Sequence, residues 1–248
     1  MILKNLFVKK QETAKQERPF HTRATRVPLS QLHRISFRQT DPPLEPFALS
    51  NISASGVGFL RGSVQWPEVG SIIQGEFTIS EQKFPIELKL VYVTQQAAGC
   101  QFQPPFVELA KAIANYLQVE IAALEMTCVP SHTLQEEPDG TPCWFYGENN
   151  SELYYVLNGE TILRFHAVFF ANYIEGGKGV PLKFGVVVND HPEDKPAHKG
   201  ASLIHWESHW NEERMDSAKR FLCHIQKLKK EHLDALLGLL GPHGRNPG

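Results

Sequence analysis

Residues 71–94, SIIQGEFTISEQKFPIELKLVYVT, hold two runs of alternating apolar and polar residues on either side of a polar tip at Glu81 and Gln82. Successive strand side chains point to opposite faces, so this alternation predicts two strands, roughly 71–79 and 84–94, paired as an antiparallel hairpin with one buried face. Gly70 and Gly75 suit a strand entry and a bend. The same texture extends outward from the hairpin: short runs at roughly 32–39, 46–51, 56–61 and 98–103 are separated by Gly, Pro and Asn/Asp/Ser clusters. Six strands of this kind read as a mainly β fold, a small six-stranded antiparallel β-barrel.

After Pro104 and Pro105 the period lengthens, with Phe106, Leu109, Ile113, Ala114, Leu117, Ile121 and Leu124 spaced for one helix face. This predicts one helix closing the barrel. Pro130 and the stretch SHTLQEEPDGTP, residues 131–142, break that pattern and read as a linker over 129–142. Limited proteolysis is expected to cut there first. The remainder, 143–248, reads as a second, α+β domain. Its β-rich runs are CWFYGE, ELYYVLN, TILRFHAVFFANYI and PLKFGVVV, with hairpin turns at Asn158-Gly159 and Gly176-Gly177. A loop over 189–200 precedes a long amphipathic helix predicted from Asn211 to Leu240, stopped by Gly241-Pro242.

The 248 residues and the ordinary balance of 42% hydrophobic and 21% charged residues predict a folded chain. The formal charge of −2 conceals a basic N-terminus, where residues 1–38 carry nine lysines and arginines against Glu12 and Glu17. Residues 1–17 read as a flexible basic arm, and an anionic partner is expected near it. Cys100, Cys128, Cys143 and Cys223 form no CxxC pair, which leaves free thiols. The opening MILKNLFVKK is too short for a secretory h-region, and no run reaches the roughly 20 apolar residues of a membrane helix. A cytoplasmic protein without a transmembrane segment is expected.

The most informative run for function is SNISASGVGFL, residues 50–60, in which Asn51, Ser53 and Gly56 stand as N-x-S-x-x-G. Asn and Ser offer short side chains for a purine edge, and Gly offers the backbone freedom a tight turn demands. A plain hairpin turn uses the same residues. Upstream, HTRATRVPL carries Arg23 and Arg26, with Arg18 as a helper, and GCQFQPPFVELAKAIANYL, residues 99–117, ends the barrel. Together these motifs resemble the bacterial PilZ family, whose members share R-x-x-x-R before the first strand, [D/N]-x-S-x-x-G between strands two and three, and a final G-x-x-F strand leading into a helix. Gly99 to Phe102 supply the last of these. The likeness covers roughly residues 18–120.

Arg23 and Arg26 are one residue short of the family spacing, and Thr22 stands where the first arginine is expected. Arg34 and Arg38 have the family spacing and are the fallback pair, though they lie only thirteen positions or so before Asn51. The resemblance implies a cyclic di-GMP receptor that couples ligand binding to an unidentified protein partner. Arginine suits that ligand because guanidinium pairs bidentately with phosphate or guanine and stacks on the base. The segment Arg18 through Val27 is then expected to order over the ligand, as an order–disorder switch. The rival reading is a degenerate barrel that binds no nucleotide and serves as a protein-interaction module.

No Walker loop, G-x-S-x-G elbow or Cys–base pair is present, so a binding protein without a cofactor is expected in place of an enzyme, and no nucleic acid or metal is expected. In HWESH, residues 205–209, the glutamate occupies the wrong place for a metalloprotease helix. Trp144, Phe145, Tyr146, Tyr154, Tyr155, Phe165, Phe169 and Phe170 read as the core of the second domain, and Trp206 and Trp210 as packing residues. The leucine-rich end of the last helix packs on its own sheet or, as the alternative, forms a homodimer seam.

Overall fold

In a computed structural model, residues 24–42, 46–62, 65–147, 149–188, 203–208 and 212–241 are described. Two hydrophobic cores form, one in each half of the chain. The first sheet has seven strands, one more than the alternation predicts. They are β1 Val27–Pro28, β2 Ile35–Asp41, β3 Leu49–Ser53, β4 Gly56–Leu60, β5 Ile72–Ile79, β6 Gln82–Val93 and β7 Ala97–Phe102. The additional strand, β1, is two residues long and carries no period of its own; only its pairing with β3 makes it a strand.

The order β1-β3-β4-β7-β6-β5-β2 is antiparallel throughout and curls into a half-barrel. Irregular pairings in β2, β3 and β6 mark where the strands bend, because an extra residue opposite one partner raises the local twist. The curl brings Phe47 back to Phe37, whose carbonyl accepts the Phe47 N–H at 3.0 Å. Phe37, Phe59 and Phe77 pack inside with Ile52, Leu88 and Leu90. Each such side chain contributes about 1.5–3 kcal/mol by leaving water.

The single closing helix predicted over 106–124 is two: α1 Val107–Tyr116 and α2 Gln118–Leu124, with Leu117 between them. Leu109, Ile113 and Leu117 enter the first core, whereas Val119 and Ala123 of α2, with Met126 just after it, enter the second. One apolar stripe thus serves two cores, and the change of direction lets it face both. The second sheet begins at β8 Thr127–Val129 and runs through β9 Thr141–Tyr146, β10 Glu152–Asn158, β11 Thr161–Phe169, β12 Asn172–Gly177, β13 Val180–Val188 and β14 Leu203–Trp206. It is a sequential antiparallel meander. Residues 131–140 run beside this sheet, where Arg164 holds Glu137 at 2.7 Å and Asp139 at 3.6 Å.

The long final helix predicted over 211–240 is also two, α3 Glu212–Cys223 and α4 Lys230–Leu239. The turn between them keeps i to i+3 bonds, Ile225 N–H to Leu222 and Leu228 N–H to Ile225. Phe221, Leu222, Ile225 and Leu228 keep helix-like spacing in the sequence up to the extended residue Lys229, and no Gly or Pro announces the break. Both helices cover one face of the second sheet, with Phe221 stacked on Phe169 at 4.9 Å. The expected aromatic core divides accordingly. Phe145, Tyr155, Phe165 and Phe169 are buried in it, while Trp144, Tyr146, Tyr154 and Phe170 are not. Trp206 is exposed, and Trp210 lies outside the described residues.

Candidate functional site

The first strands place three of the candidate residues together. Pro28 pairs with Asn51, and Val27 with Ile52, so Arg26 stands beside the end of β3 where Ser53 enters the turn. Val27 and Ile52 face the core, which puts Pro28 and Asn51 on the outer surface. The row continues across the sheet from Asn51 to Gly58, Gly99 and Tyr92. The Asn51 amide lies over Gly58, where a Cβ would come within 2.6 Å of its Nδ2; the Tyr92 ring lies over Gly99, where a Cβ would meet it at 2.2 Å. Two neighbouring glycines thus let an amide and an aromatic ring lie flat on the backbone, about one strand spacing apart, roughly 4.8 Å.

Asn51 Nδ2 donates to Ser50 Oγ at 3.0 Å. Both side chains reach the same glycine because the β3–β4 register slips between Leu49 and Asn51. Ser53 is nearly buried; its hydroxyl donates to the Gly56 carbonyl at 3.3 Å and accepts from Ser55 N–H at 3.4 Å. It is therefore engaged in holding the turn. Gly56 does not adopt the left-handed conformation. The requirement there is close approach, since a Cβ would lie 2.5 Å from the Cys100 carbonyl oxygen on β7. Gly56→Ala must separate β4 from β7, and an unfolding midpoint in urea should show a loss of about 1–3 kcal/mol.

Arg26 is exposed and makes no hydrogen bond or ion pair among the described residues. Arg18 and Arg23, with the rest of the basic arm through residue 23, lie outside the described residues. The fallback pair is elsewhere. Arg38 sits on β2 opposite Glu76 of β5, at the far end of the strand order from β1, and Arg34 precedes β2 with its backbone N–H donating to Tyr116 Oη at 2.8 Å. The fold brings Arg26 to Asn51 and does not pair Arg34 or Arg38 with it.

Behind this surface, β1 is fastened to the helices that cover the second sheet. The Pro28 carbonyl, on the edge of β1 away from β3, lies 2.9 Å from Nε2 of His224, the residue that follows α3. His224 Nδ1 lies 2.8 Å from the Arg220 carbonyl. Beside it, Glu120 of α2 is completely buried and receives Arg220 through both oxygens, with Arg220 Nη2 to Oε2 at 2.9 Å. His33 Nε2 reaches Glu120 Oε1 at 3.1 Å, and Arg220 also donates to the Tyr116 carbonyl at 2.7 Å. Burial opposes ionisation of Glu120, but hydrogen bonds from His33 and Arg220, with the Arg220 charge, outweigh it and carry the carboxyl down to about 2. Sequence reasoning missed this cluster. An acid within the apolar run Leu117–Leu124 is its one local signal.

Among the described residues no group of three or more His, Cys, Asp or Glu side chains could hold a metal, and His209 of the HWESH run lies outside them. The cysteines are free, and burial pushes the Cys100 thiol up to about 12. Among the described residues no helix is long and apolar enough to cross a membrane.

Fold and site together define a mainly β protein of two antiparallel sheets, one curled into a half-barrel that carries a polar and aromatic strip on its outer surface. No protein-family model matches the chain, and no curated protein matches it. Among solved structures it is similar to the K. pneumonia MrkH–c-di-GMP complex, with 17% sequence identity and a TM-score of 0.35. The likeness covers 40% of this chain and 52% of that one, about half its length.

Proposed function

We propose that the half-barrel is a cytoplasmic receptor for cyclic di-GMP, and that the chain binds a signal and catalyses no reaction. The observation that carries this reading is the outer row Pro28, Asn51, Gly58, Gly99 and Tyr92 with exposed Arg26 at its corner. The Tyr92 ring and Asn51 amide offer a flat surface and hydrogen-bonding groups to a guanine, and Arg26 offers a guanidinium to a phosphodiester or to guanine O6 and N7. Binding would act on β1, whose carbonyl edge meets α3 through His224, and so alter how the second domain meets a protein partner.

One observation favours the rival, a barrel that serves as an interaction module: the Ser53 hydroxyl is occupied within its own turn. Titration of the full chain with fluorescently labelled cyclic di-GMP separates the two. Saturable binding that weakens with added salt is expected. Asn51→Ala should weaken it roughly tenfold, the worth of a hydrogen bond to a charged or polar edge. Absence of binding supports the rival, and loss in Arg34→Ala with full binding in Asn51→Ala moves the site to β2.

A further inference from the structure

We propose that the outer face of the second sheet binds a small organic cation, an amine on an aromatic or apolar body, seated against Glu152. This site is separate from the half-barrel and does not depend on the cyclic di-GMP reading. Helices α3 and α4 cover one face of the sheet, and among the described residues no helix covers the other. A groove of about 900 Å³ opens there, at the end bearing the β9–β10 and β11–β12 turns. That is the size of a small-molecule site.

The lining has the chemistry of a cation site. Trp144, Tyr146, Phe170 and Tyr173 supply aromatic surface, whose negative ring faces attract a cation. Among the described lining residues Glu152 is the one carboxylate, and none is a lysine or arginine. His166 Nε2 lies 3.5 Å from Glu152 Oε1, and its ring is stacked between Tyr154 and Tyr173 at 5.4 and 5.8 Å. Hydrogen bonding from His166 holds the Glu152 carboxyl below its ordinary range against the opposing effect of burial. A phosphate-bearing ligand would meet this carboxylate with no lysine or arginine among the described lining residues to receive it, so the groove discriminates against nucleotides.

Trp144 joins His166 in holding the Glu152 carboxyl below its ordinary range, which fixes the carboxylate in the groove wall. At the rim, Phe170 and Ala171 are the two central residues of the β11–β12 hairpin and hold left-handed backbone, φ 45° and 61°, as a type I′ turn requires. The turn keeps Phe170 out of the core that receives Phe169 and sets it in the groove wall.

A matched ligand series tests the charge reading on the unmodified full chain by isothermal titration calorimetry: tyramine, neutral 4-ethylphenol and anionic 3-(4-hydroxyphenyl)propionate. Tyramine should bind in the millimolar range or tighter, and the other two roughly tenfold more weakly or worse. Glu152→Gln should remove most of that preference while the far-ultraviolet circular dichroism stays unchanged, and Glu160→Gln, on a hairpin turn away from the groove, should leave it intact. Equal binding of 4-ethylphenol and tyramine, no binding of tyramine, or a folded Glu152→Gln protein that keeps the preference would each overturn the proposal.

Discussion

Arg220→Ala is expected to cost about 3–5 kcal/mol of folding stability, read from urea unfolding of the full chain, because it strands a completely buried carboxylate. Arg220 touches both oxygens of Glu120, the Tyr116 carbonyl and, through its guanidinium at 4.6 Å, the Tyr116 ring. Lysine cannot reproduce that fork, so Arg220→Lys should recover little of the loss. Replacing both partners, Glu120→Leu with Arg220→Met, should restore most of it, since a buried pair exchanged for apolar side chains of similar volume is often neutral. A single Arg220→Ala near wild-type stability would mean that His33 alone satisfies Glu120.

The same cluster sets an acid limit. The Glu120 carboxyl lies at about 2 in the folded chain against an ordinary 4.5. A depressed folded value means the unfolded state binds the proton more tightly, so this contribution is complete above about pH 4.5 and disappears as pH falls toward 2. Stability measured across that window should fall more steeply in the wild type than in the Glu120→Leu, Arg220→Met protein.

Arg26→Ala is expected to remove about 2–5 kcal/mol of cyclic di-GMP binding, the usual loss when one partner of a charge-assisted contact is truncated. Arg34→Ala and Arg38→Ala should leave affinity within about twofold, because Arg38 stands opposite Glu76 of β5 and Arg34 precedes β2, so neither joins the row through Asn51. Hydrogen exchange with and without ligand then tests the link to the second domain. Protection is expected in β1 and β3, and also at the end of α3, since His224 grips the Pro28 carbonyl directly across the strand from Asn51. Protection confined to the half-barrel would show that the second domain does not sense the ligand through this contact.

The features legible in the sequence are local. Alternation over 71–94 marks a hairpin, and β5 and β6 form one, because the two-residue period of a strand is written in consecutive residues. The candidate turn was legible for the same reason, and Asn51, Ser53 and Gly56 do stand at a β3–β4 hairpin. The remaining features involve residues far apart in the chain. Strand β1 exists because β3 pairs with it, and Gly56 matters for its distance from Cys100 on another strand, which no local rule encodes. The breaks within 106–124 and 211–240 leave the spacing of apolar residues in the sequence uninterrupted, so periodicity could not reveal them. Aromatics alternate on both faces of the second sheet, so Phe145 and Trp144 read alike until α3 and α4 cover one face and leave the other open. Glu120, Arg220, His33 and His224 become one cluster only when two cores share α2, because the pairing free energy comes from a burial that the separate segments do not have.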